Sequence, residues 1–214
     1  MVNLIPAKKE WYRALAERHG EKIQKNISSA TVAICGLGGL GSNIAYALAR
    51  AGVGKLILID CDNVDITNLH RQQYKADQIG IYKTEALKEN LSEIAPYIIT
   101  ETHTVRITEE NAESLLKEAD IICEAFDDAE CKAMLVNIVL EKMPSKYIVA
   151  ASGMAGFGSA NTIRTRKVTN RLYICGDEKS DVQIEGSLIS SRVMLCAAHQ
   201  AHTVLRILAE QFEI

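Results

Sequence analysis

A run of glycines, GLGGLGS, occupies Gly36 to Ser42. It follows a short apolar stretch, TVAIC (31–35), and precedes Ile44, Leu48 and Ala51 at helical spacing. In that setting glycines permit a tight turn and let backbone N–H groups approach a phosphate, while the helix start adds a partial positive charge. The pattern suits a dinucleotide and ATP equally. Asp60 stands 24 positions after Gly36, at the end of a second apolar run, KLILI (55–59). A carboxylate there can accept hydrogen bonds from both ribose hydroxyls. The polar stretch DITNLHRQ (65–72) then gathers Asn68, Arg71 and Gln72. Guanidinium groups fork onto phosphate oxygens, and a triphosphate needs such neutralisation. Lys83 falls at an expected helix start, where a cation opposes the helix dipole. Its placement there points to a functional demand, with an ordinary surface lysine as the alternative. Asp127 comes after the run DIICE (120–124). It suits a magnesium ion that already holds phosphate ligands. It also suits a helix cap, a role open to Asp128 as well.

These side chains act together only if one scaffold gathers them. Strands are expected at 31–35, 55–59, 98–105, 120–124 and 147–151, with an antiparallel return at 162–166 and 172–175. Helices are expected after the glycines, over 83–94, after a Thr108 cap, from Asp127 or Asp128 onward, and over 190–210. Strands alternating with helices imply an α/β fold: a Rossmann-like, mostly parallel sheet with helices on both faces and a short antiparallel extension. Ligands of such sheets lie beyond the carboxyl ends of the strands, where the residues above fall. A chain of 214 residues is read as one domain, 1–214, with 1–28 as an N-terminal helical arm.

Composition narrows the function. Lys and Arg number 24 against 27 Asp and Glu, a net charge of −3 that offers no field for nucleic acid. No apolar run approaches the ~18 residues of a membrane span, and the first stretch is too charged for a signal peptide. The six cysteines form no CxxC pair and no Cys/His spacing for zinc. Free thiols in a reducing cytoplasm are therefore expected.

In order and spacing these motifs resemble the ThiF/MoeB/HesA family of adenylating enzymes, relatives of the ubiquitin-activating enzymes. The resemblance covers nearly the whole chain and rests on GLGGLGS, LIDCDNVDITNLHRQ, the segment ending at Lys83, and Asp127. ERHG, NLHRQQY, VAASGMAG and YICGD look more narrowly like the short ThiF proteins of thiamine biosynthesis. The resemblance implies ATP-dependent adenylation of the C-terminal glycine of a ubiquitin-like, ThiS-like sulfur carrier, with release of pyrophosphate. By position it implies that Gly36, Gly38, Gly39, Gly41 and Ser42 cradle nucleotide and Asp60 takes the ribose. Asn68 and Arg71 would face the phosphates, Lys83 would stabilise the transition state, and Asp127 would bind Mg2+. An N-terminal arginine, Arg13 with Arg18 in reserve, would reach into the other subunit's site, which implies a homodimer.

Two departures stand out. The paired CxxC motifs that hold zinc in longer members are absent, so no zinc is expected. The region before the last helix, KSDVQIEGS, lacks the cysteine that some relatives use, and Cys175 is the nearby candidate. Lys132 stands where the family often has arginine. SGMAGFGSAN (152–161) reads either as a channel for a glycine-ended tail or as a packing loop beside a dimer interface. His199 and His202 read as a packed, hydrogen-bonded pair rather than metal ligands. Competing functions are an NAD-dependent oxidoreductase, which shares the glycine loop and Asp60, and a non-catalytic scaffold that binds a ubiquitin-like protein.

Overall fold

The computed structural model describes residues 5–213. Residues 1–4 of the expected arm and residue 214 of the expected domain lie outside that range. The arm forms two helices, α1 (Lys8–His19) and α2 (Glu21–Ser29), separated by Gly20 at φ +89°. Beyond them, strands and helices alternate: β1 (Thr31–Cys35), α3 (Gly39–Ala51), β2 (Lys55–Ile59), α4 (Lys83–Ile94), β3 (Ile99–His103), α5 (Ala112–Leu116), β4 (Ile121–Glu124), α6 (Ala129–Lys142) and β5 (Tyr147–Ala151). The chain ends with β6 (Arg164–Lys167), β7 (Leu172–Gly176), a single turn α7 (Val182–Glu185) and the long α8 (Ser190–Leu208).

The seven strands form one sheet in the order β3-β2-β1-β4-β5-β7-β6, parallel except for the β6–β7 pair. This is the expected α/β architecture, antiparallel extension included. Its central strands are continuous apolar runs because both faces are covered. Val32 and Ile34 of β1 pack on one side with Ile44 and Leu48 of α3, Leu87 of α4 and Val204 of α8. Ala33 and Cys35 point to the other side, with Leu116 of α5 and Leu135 and Val139 of α6. No described helix is long and apolar enough to cross a membrane.

Several local expectations are corrected. Thr108 does not cap α5: that helix starts at Ala112, and the Thr108 N–H instead donates to the Asn111 side chain at 2.8 Å. The third strand is trimmed to 99–103, the edge strand shifts to 164–167 behind a single 3-10 turn, and α8 stops at Leu208. Asp128 is the cap of α6, accepting from the Cys131 N–H at 2.8 Å, which leaves Asp127 uninvolved in capping.

Candidate nucleotide site

The carboxyl ends of β1, β2 and β4 converge on the glycine loop. Gly36 closes β1 at φ +90°, and a Cβ there would meet the Ala125 carbonyl at 2.8 Å, so the turn admits only glycine beside the end of β4. A Cβ on Gly41 would lie 1.8 Å from the Gly36 carbonyl oxygen, so this glycine lets α3 press onto the strand end. Gly38 differs from both. A Cβ there would stand in ordinary contact with the Gln72 amide nitrogen at 3.7 Å, so packing does not demand glycine at this position. Gly39 lies under Arg71, whose Cγ would stand 3.5 Å from an added Cβ, and against Val193. Ser42 is fully buried. Its hydroxyl donates to the Gly38 carbonyl at 2.6 Å and accepts from the Gln73 N–H at 3.1 Å. It ties the loop to the segment that carries Arg71 and presents no free side chain.

Asp60 extends from the end of β2 beneath this loop. Its Oδ2 accepts from the Leu37 N–H at 2.6 Å and its Oδ1 from the Asp62 N–H at 2.8 Å. Burial pushes its carboxyl up, and the Lys83 ammonium and the two N–H groups oppose that. Each oxygen keeps a lone pair for a further donor. Lys83 opens α4, is only 6% exposed, and places Nζ 2.7 Å from Asp62. It is not a surface lysine. The polar segment between these elements folds as a 3-10 turn (Ile66–Asn68), where Asp65 accepts from the Thr67 N–H and Asn68 returns its side chain to the Asp65 N–H at 3.1 Å. Arg71 follows. Its Nη1 donates to the Thr67 carbonyl at 2.9 Å, while its buried Nε has no partner among the described residues. The buried Gln72 Oε1 is likewise unpartnered. Burial draws the Arg71 guanidinium down, and the Asp127 charge opposes that, so cation and carboxylate sense each other. Asp127 is exposed at the end of β4.

Arg71, Lys83, Asp60, Asp127 and the glycine loop are thus brought to one sheet edge. Arg13 is not. It is exposed on α1, 3.8 Å from Glu17, and α1 meets the core through Leu15 at Gly52, the far end of α3 from the glycine loop. That separation is about 20 Å, the length of α3 at 1.5 Å per residue. Arg18 lies further along the same helix.

A second charged group supports the site from below, and its pairing carried no signal in the sequence. Glu124, fully buried at the end of β4, accepts from Lys132 Nζ at 2.9 and 3.1 Å and from the Phe126 N–H at 2.7 Å, next to Asp127. Burial pushes its carboxyl up, against the pull of Lys132. Gln200 of α8 reaches beneath, donating to the Glu124 and Val149 carbonyls at 2.9 and 3.1 Å. The loop 152–161 is held by Arg192, whose guanidinium donates to the carbonyls of Gly158 at 2.6 Å and Ser159 at 2.7 Å and pairs with Asp177. Cys175 is buried with its thiol pushed up to about 11 by desolvation, so almost none is thiolate near neutral pH. His199 Nδ1 lies 3.0 Å from the Thr165 hydroxyl, and His202 is exposed.

The residues fit a magnesium-bound nucleoside triphosphate. Gly38, a glycine that packing does not demand, the Arg71 guanidinium and the buried Lys83 ammonium offer donors and positive charge. Asp127 offers a carboxylate free of capping duty for the metal.

Residues 12–213 match the ThiF family. Among curated relatives, the adenylyltransferase and sulfurtransferase UBA4 of Lodderomyces elongisporus is 31% identical over 146 residues, 68% of this chain and 32% of that protein. The adenylyltransferase and sulfurtransferase MOCS3 of Caenorhabditis briggsae is 36% identical over 132 residues, 61% of this chain and 33% of that protein. The chain spans about a third of the length of these relatives. Among solved structures, the E. coli tRNA N6-threonylcarbamoyladenosine dehydratase TcdA, in complex with AMP, has a TM-score of 0.85 at 20% identity. That match covers 98% of this chain and 99% of the other, and is a likeness of fold.

Proposed function

The chain belongs to the ThiF family, and from that premise we propose that it adenylates the C-terminal glycine of a ubiquitin-like sulfur carrier. One observation carries the reading: Arg71, Lys83 and Asp127 share one sheet edge with a glycine loop whose Gly38 is not demanded by packing. A nicotinamide cofactor gives those three charges no task. The names of the UBA4 and MOCS3 relatives and the nucleotide in the TcdA complex point the same way.

In this reading Asp60 accepts hydrogen bonds from the ribose and the glycine loop approaches the phosphates. The carrier's carboxylate, ionised near neutral pH, attacks the α-phosphorus. One P–O bond forms, the bond to the bridging oxygen breaks, and pyrophosphate leaves with the electron pair. Arg71 and Lys83 neutralise charge that grows on the phosphate oxygens, and alignment rather than proton transfer supplies the rate. Asp127 would hold Mg2+, which adds further neutralisation of the phosphates. We assign the chain to a homodimer in a reducing cytoplasm, with Arg13 completing the partner's site, and the carrier to the ThiS type of thiamine biosynthesis, on the strength of NLHRQQY and VAASGMAG.

ATP–pyrophosphate exchange tests this. Exchange that requires a ThiS-like carrier supports the full reading. Exchange only with a molybdopterin-type carrier reassigns the pathway and keeps the chemistry. No exchange with either, or NAD binding tighter than MgATP, overturns the adenylation reading.

A further inference from the structure

We propose that the Tyr74 hydroxyl is a positioning group for the nucleotide loop, fixing the direction in which the Gly38 N–H points; the proposal rests on the nucleotide reading of that loop. Leu37, between β1 and α3, is held from two sides. Its N–H donates to Asp60 Oδ2 at 2.6 Å, and its carbonyl accepts from the Tyr74 hydroxyl at 2.7 Å. A trans peptide is planar, with C=O and the following N–H on opposite sides. A Leu37 carbonyl tied to Tyr74 therefore sends the Gly38 N–H away from Tyr74. Among the described residues that N–H meets no acceptor. An added Cβ on Gly38 would meet nothing closer than the Gln72 amide nitrogen at 3.7 Å, so packing does not account for glycine here.

The tether has work to do because of the residue that follows it. Turning the Leu37–Gly38 peptide plane changes ψ of Leu37 and φ of Gly38, and glycine resists a change in φ less than any other residue. Loss of the hydroxyl would free this plane and blur the aim of one donor. Tyr74 is suited to hold it. It is buried, and burial, with the charges of Asp60 and Asp62, pushes its hydroxyl well above the usual phenol range, so it remains a donor at any working pH. The aromatic ring fills core space with or without the oxygen, which separates packing from positioning.

Tyr74→Phe in the full chain, with ATP and adenosine binding measured separately, tests this. The variant should bind ATP about tenfold more weakly, the scale of one misaligned hydrogen bond to a charged group. Adenosine, which lacks phosphates, should bind within about twofold of wild type. In the wild-type chain, ATP should shift the Gly38 amide resonance, a measurement that stands even if the variant folds poorly. Unchanged ATP affinity in the variant, equal losses for ATP and adenosine, or an unmoved Gly38 amide would each overturn the positioning role. A wild-type chain that binds no ATP would instead remove the nucleotide reading itself, and this proposal with it.

Discussion

Lys83 shows how much a single side chain reveals once its surroundings are known. It stands in the first turn of α4, where the helix dipole disfavours a cation, and it is buried. Both conditions cost free energy. The exposed carboxylate of Asp62 offsets part of that cost, and the charge also reaches Asp60. An ammonium held in this way is available for developing phosphate charge. Lys83→Ala should lower ATP–pyrophosphate exchange by about 100-fold, the scale of a lost oxyanion donor; a near-normal rate would leave the lysine only its pair with Asp62. At this scale the sequence was most legible where chemistry and spacing coincide, as for the glycines, Asp60 and Arg71. It was silent on the pairing of Glu124 with Lys132. Nothing local marks an acid at a strand end and a lysine eight positions later as partners. Their bond depends on burial by α8 and β5, which no short window contains. Tyr74 was hidden for the same reason, since its acceptor lies 37 positions away.

Among the elements, α8 carries more than packing. Its Arg192 grips the loop after β5 and pairs with Asp177 after β7, with both side chains nearly buried. Removing one partner of such a pair leaves a buried charge, so Arg192→Ala should cost about 3–5 kcal/mol in denaturant unfolding. The acid limb gives an independent check. Burial raises the Asp177 carboxyl, but the Ser180 and Lys179 N–H groups, the Ser180 hydroxyl and Arg192 together hold it below the ordinary range. Its contribution is therefore present above the unfolded value and lost as pH falls through the folded one. Asp177→Asn should be less stable at neutral pH and lose stability less steeply below about pH 4. The central strands were legible as elements because burial on both faces turns them into unbroken apolar runs. Boundaries were less so. Thr108 and Asn111 are both plausible caps by type, and only the path of the chain selects the start of α5. The turn α7, four residues long, has too few positions to show a period.

For the whole molecule, the distance between α1 and the glycine loop matters most. Arg13 cannot join Arg71 and Lys83 of its own chain from the far end of α3. If it serves a nucleotide, that nucleotide belongs to a second copy. Mixing Arg13→Ala with Asp127→Ala chains should then restore a quarter to a half of the exchange activity, since one site in a mixed dimer keeps both residues. Confirmed mixed dimers without rescue would remove Arg13 from catalysis. The outer strand β6 has a different bearing on how copies meet. It lies at the sheet's border, and its sequence RTRK sets Arg164 and Arg166 toward solvent. An unpaired border invites strand-to-strand polymerisation, and like charges along it repel a second border of the same kind. With Arg166 tied to Glu178 at 2.6 Å, Arg164 is left to supply that repulsion, which disfavours copies of this chain stitching themselves into ribbons.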